Sequence, residues 1–140
     1  MTNMLNTLAF TLSAAATVAS GEGIELTAAG SFDWETTAEG VAFAPLQGDR
    51  FSESYQAMVR LPAGLVSPPH VKSANMFGVM LQGEMIHYVQ GADPAQAQPI
   101  GAGSFYRIPR GLPHVSACVS ADPCIAYLYQ DGAFDFLPVQ

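Results

Sequence analysis

The sequence predicts an all-β fold, a single small barrel, on three observations. Short runs of β-forming residues recur along the chain and are cut by turn residues, with Gly (13) and Pro (10) spread throughout. Beyond an N-terminal run, no stretch carries a long apolar period of 3.6 residues, the mark of an amphipathic helix. The length of 140 residues fits one domain, and 49% hydrophobic residues suffice for a core without metal or disulfide scaffolding.

Taken in order, residues 1–20 read as a leader or an ordered N-terminal arm and 21–140 as one domain. Leu8–Ala19 is an apolar, small-residue run like a signal-peptide core, and Thr17-Val18-Ala19 suits a peptidase site. The basic n-region that such a peptide carries is absent, since the first 49 residues contain no Lys or Arg. A periplasmic or secreted protein and a cytoplasmic one with an arm packed across a partner therefore both stay open. The run is too short, and too rich in Ser, Thr and Ala, for a membrane span.

The candidate strands are Gly40–Pro45, Tyr55–Leu61, Gly78–Gln82, Met85–Gln90, Gly103–Ile108, His114–Val119 and Ile125–Gln130. They are separated by Gln47-Gly48-Asp49, Pro62-Ala63-Gly64, Ser67-Pro68-Pro69, Gly83, Gly91–Pro99 and Pro109–Pro113. Gly91–Pro99 reads as a hairpin tip. Ser120-Ala121-Asp122-Pro123 reads as a turn that brings Cys118 and Cys124 together across a second hairpin. In an exported protein these two cysteines suit a disulfide, and in a cytosolic one they remain small buried thiols.

Net charge is −7 with only five basic residues, and these form no cluster. Nucleic-acid and anionic-membrane partners need such a cluster, so neither is expected. No Ser-His-Asp set, phosphate loop or carboxylate pair has a usable spacing.

Two stretches carry the chemistry. Leu61–Gly83 (LPAGLVSPPHVKSANMFGVMLQG) has Gly64, five residues, His70, one residue, Lys72, three residues, Met76, six residues, Gly83. Gly103–Cys118 (GSFYRIPRGLPHVSAC) has Gly103, five residues, Pro109, Gly111, two residues, His114, three residues, Cys118. His70 and Lys72 are two apart and so share a face if the segment is extended; His114, Ser116 and Cys118 share another. Closing the sheet would bring both faces together inside the barrel.

On these motifs the chain resembles the cupin superfamily, in particular small single-domain, ChrR-type cupins, over roughly Trp34–Pro138. The resemblance implies a double-stranded β-helix, or jelly-roll barrel. In metal-binding cupins the first motif supplies two histidines and a glutamate, and the second supplies one histidine. Here Lys72 and Met76 stand where a histidine and the glutamate would be. Only His70 and His114 remain as candidate ligands for a divalent transition metal, with Cys118 a further donor if its thiolate reached inward. An ammonium has no lone pair, and a thioether suits only soft ions.

The expectation is therefore a small-molecule-binding cupin, non-catalytic or without the full metal site. His70, Lys72 and His114 would anchor its ligand, and Met76, Met80, Tyr106 and Cys118 would add to the lining. Lys72, the only lysine, either snorkels to water or replaces the metal's charge and binds a carboxylate. The alternative is a cupin-type enzyme, a metal-dependent oxygenase or an isomerase or lyase, with a reduced two-histidine site. His87 reads as structural, and Tyr127 and Tyr129, with Tyr106, as core or pocket wall. The resemblance also implies a homodimer joined through edge strands.

Overall fold

The computed structural model describes residues 23–140, and the readings made for residues 1–20 lie outside them. Ten strands run β1 Glu35–Thr36, β2 Ala42–Gln47, β3 Tyr55–Leu61, β4 His70–Val71, β5 Met76–Gln82, β6 Met85–Val89, β7 Phe105–Ile108, β8 His114–Cys118, β9 Cys124–Gln130 and β10 Leu137–Pro138. All seven expected strands are present. The additional ones, β1, β4 and β10, are two residues long, below what alternation can reveal in a sequence.

The strands form two antiparallel sheets. The larger has the order β1-β2-β3-β9-β5-β7, and the smaller β10-β4-β8-β6. Successive strands β5 and β6, β6 and β7, and β8 and β9 therefore lie in different sheets. Neither expected hairpin exists as such: Gly91–Pro99 and Val119–Pro123 are corners that carry the chain from one sheet to the other. This is the jelly-roll arrangement, in which each inner face meets the other across the core.

Alternation is regular in β9, where Cys124, Ala126, Leu128 and Gln130 are buried and the residues between them are half-exposed. The inner faces join Phe43, Tyr55, Val59, Leu61, Met76, Met80, Met85, Ile108 and Leu128 into one core. Cys118 and Cys124 are bonded as a disulfide that ties the end of β8 to the start of β9, and hence one sheet to the other. The Gly83 corner packs against it. Gly83 has φ +76°, and a Cβ there would lie 2.9 Å from Cys124 Sγ and 3.0 Å from Cys124 Cα. Glycine is required both for the backbone turn and for the approach.

Candidate small-molecule site

A cavity of about 770 Å³ lies between the sheets. Phe43, Tyr55, Val59, Leu61, Ala126 and Leu128 from the larger sheet make it predominantly apolar. The polar groups on its wall include His70, Lys72, His87, Tyr106, Ser116 and Gln130.

Strand pairing sets the histidines. His70 of β4 is directly opposite His114 of β8, and His87 of β6 is directly opposite Ser116 of β8. Since His114 and Ser116 are two residues apart, all four side chains share the inner face of the smaller sheet. The His70 and His114 rings are 4.3 Å apart, centroid to centroid. His70 Nδ1 bonds the Pro68 carbonyl at 2.9 Å, and His114 Nδ1 bonds the Leu112 carbonyl at 2.9 Å. A carbonyl only accepts, so both rings carry their proton on Nδ1 and keep a bare Nε2. His87 Nδ1 lies 2.8 Å from Ser116 Oγ, and its ring is 4.3 Å from that of Tyr106.

Burial makes these imidazoles neutral. It pushes His70 down to about 4, with His114 and Lys72 adding in the same direction and the Pro68 bond opposing. It pushes His87 down to about 4 as well, and holds His114 below the ordinary histidine value.

Lys72 lines the cavity, but its ammonium is held by the C-terminal tail. Nζ donates to the Asp135 carbonyl oxygen and lies 3.9 Å from the centre of the Phe134 ring. Burial lowers its pKa to about 8, with the Asp135 charge opposing. The same tail bonds Ser73 N–H through the Asp135 carboxylate at 3.0 Å, stacks Phe136 on His70 at 4.1 Å, and pairs β10 with β4. Phe134, Phe136 and Pro138 consequently line the cavity. Lys72 thus neither snorkels freely nor presents an unpartnered charge to a ligand.

Tyr106 is opposite Gly78 in the β5–β7 register, and its ring lies over that glycine. A Cβ on Gly78 would fall 2.1 Å from Tyr106 Cζ, so only glycine lets the ring lie there. Tyr106 is partly buried, and desolvation raises its pKa above the ordinary phenol value.

The other expected site residues divide. Met76 lines the cavity, as does Met85. Met80 is fully buried within the core cluster and is not part of the cavity wall. Cys118 points inward but is consumed by its disulfide, so it supplies no thiolate. Tyr127 and Tyr129 face outward: Tyr127 bonds Gln56 Oε1 at 2.8 Å, and Tyr129 stacks on Phe77. His87, read from sequence as structural, is on the wall. Its signal was available, because Met85 after the Gly83 corner must point inward, and a period of two then turns His87 the same way.

A complete cupin-type metal site needs three or four imidazole or carboxylate donors. Among the described residues, no group of three or more His, Cys, Asp or Glu side chains is placed to hold an ion. At the remaining motif positions stand an ammonium bonded to Asp135 and a thioether. The residues present do not fit that group. Among the described residues, no helix is long and apolar enough to cross a membrane.

The fold recurs in solved structures of low sequence identity. The polyketide cyclase RemF from Streptomyces resistomycificus superposes with a TM-score of 0.65 at 17% identity, covering 84% of this chain and 87% of that one. An RmlC-like cupin from Shewanella frigidimarina gives 0.63 at 15% identity, covering 81% and 95%. A chain from the complex of Rhodobacter sphaeroides SigE with the anti-sigma ChrR gives 0.57 at 20% identity, covering 74% of this chain but only 51% of that one. No curated protein matches the sequence. Residues 23–134 match the ChrR Cupin-like domain, and with the jelly-roll sheets described above they show that the chain belongs to this cupin family.

Proposed function

We propose that this cupin binds a small organic molecule between its sheets and performs no metal-dependent chemistry. The observation that carries this reading is the cavity itself, about 770 Å³ of largely apolar wall with a few polar groups on the smaller sheet. That combination is characteristic of small-ligand sites. His70 supplies a neutral acceptor on the wall, His114 is buried off it, and Lys72 holds the tail that forms one side. A homodimer remains part of the proposal, supported by the edge position of β7 and by Phe105 on it, 63% exposed.

Titration with Nile red, a neutral apolar probe, tests the reading. Saturable binding at one site per chain is expected, and it should weaken in Leu65→Trp, which narrows the cavity. Elemental analysis of protein purified without chelator tests the competing enzyme reading. A stoichiometric transition metal lost in His70→Ala and His114→Ala would establish a reduced two-histidine centre instead.

A further inference from the structure

Two ring nitrogens inside the barrel lack partners. His87 Nε2 and His114 Nε2 are both buried and make no hydrogen bond among the described residues. Buried polar atoms are ordinarily paired, so each such atom calls for an explanation.

The kind of partner required follows from the tautomers. The Leu112 carbonyl takes the Nδ1 proton of His114, so Nε2 there can only accept. At His87 the neighbour of Nδ1 is the Ser116 hydroxyl, which either donates or accepts. His87 Nε2 is then a donor or an acceptor according to how that hydroxyl turns. Of the two histidines only His87 lines the cavity, so its Nε2 is the one that a ligand meets. The cation that would attract a carboxylate, Lys72, already donates to the Asp135 carbonyl and lies over Phe134. A hydroxyl donates and accepts, and so serves His87 Nε2 in either state. Tyr106, Met85 and Leu128 lie on the wall of the same cavity and offer an aromatic and aliphatic surface to the rest of a ligand.

We propose that the ligand is an uncharged, largely apolar molecule carrying a hydroxyl group, which docks at His87 and Ser116 while its body lies against Tyr106, Met85 and Leu128. This rests on the small-molecule reading above and replaces a carboxylate with a neutral donor.

Displacement of Nile red from the full chain at pH 7 by 2-naphthol, 2-methylnaphthalene and 2-naphthoate tests it. The expected result is that 2-naphthol binds about tenfold more tightly than 2-methylnaphthalene, the ratio one net hydrogen bond gives, and more tightly than 2-naphthoate. His87→Phe should bring 2-naphthol to the level of the hydrocarbon. Ser116→Ala, a smaller change, should reduce the preference if His87→Phe fails to fold. Equal affinities for the alcohol and the hydrocarbon overturn the hydroxyl assignment and leave the small-molecule reading intact. Tighter binding of 2-naphthoate, lost in Lys72→Met, overturns it in favour of an anion. Failure of Nile red and all three compounds to bind overturns both.

Discussion

His70 and His114 face each other across β4 and β8 with ring centroids 4.3 Å apart, and each bonds the carbonyl of the residue two positions before it. Each also follows a proline, Pro69 or Pro113. The ring of proline fixes its own φ, so the X-Pro-His segment is stiff where the histidine must turn back onto X. One local device, used in both motifs, sets both tautomers.

The histidines should make the fold acid-sensitive. His70 and His87 titrate near 4 when folded and near 6.5 when unfolded. Between those values the unfolded chain binds more protons, so stability falls as pH drops from about 6.5 to 4. Each ring accounts for about 3 kcal/mol at the lower limit. Urea unfolding at pH 7 and at pH 4.5 should show the loss, and His87→Phe should lessen it. An unchanged midpoint would refute neutral burial.

Lys72 makes the opposite end of the scale informative. Its folded pKa of about 8 lies below the ordinary 10.5, so burial of the ammonium opposes folding at neutral pH. The stability of the wild type relative to Lys72→Met should therefore rise between about pH 8 and 10.5, by at most about 3 kcal/mol. The comparison cancels the buried tyrosines, which titrate alkaline in both proteins. A flat difference across that range would mean that the amine is solvated.

The Cys118–Cys124 disulfide spans a sequence separation of 6. Loop-closure entropy for so short a loop contributes about 2 kcal/mol. Cys118→Ala with Cys124→Ala should lower unfolding stability by that amount. Mass measurement with and without reductant should show a difference of two hydrogen atoms in the wild type only.

Gly78→Ala should displace Tyr106, since the new methyl would start 2.1 Å from its ring. Overpacking of this kind costs about 1–3 kcal/mol. Near-ultraviolet circular dichroism should change together with Nile red affinity. Gly30→Ala, at a glycine that like Gly78 has no positive φ but has nothing within 4 Å of the added carbon, controls for the substitution without a clash.

Association through β7 predicts a dimer by sedimentation equilibrium. Placing a charge in the exposed edge with Phe105→Lys should shift it toward monomer. Monomeric wild type at tens of micromolar would remove the homodimer from the proposal.

Much of this protein was legible in its residues. Alternation located seven strands, the Gly, Pro and His spacing of the two stretches identified the barrel, and Lys72 and Met76 are visible in the sequence at two motif positions where the metal-binding relatives carry donors. Those properties are local, because a period of two and a turn residue act within a few positions. The tertiary structure alone decided which inward side chains meet space and which meet one another. Met80 and Met85 both point inward, yet one fills the core and the other lines the cavity. The tail Phe134–Pro138 has no pattern of its own, and its path along β4 is what takes up the Lys72 charge. Cys118 and Cys124 looked like a hairpin pair but join two sheets. Pairing between strands distant in sequence settles these matters, and the alternation of a single strand carries no record of its partner.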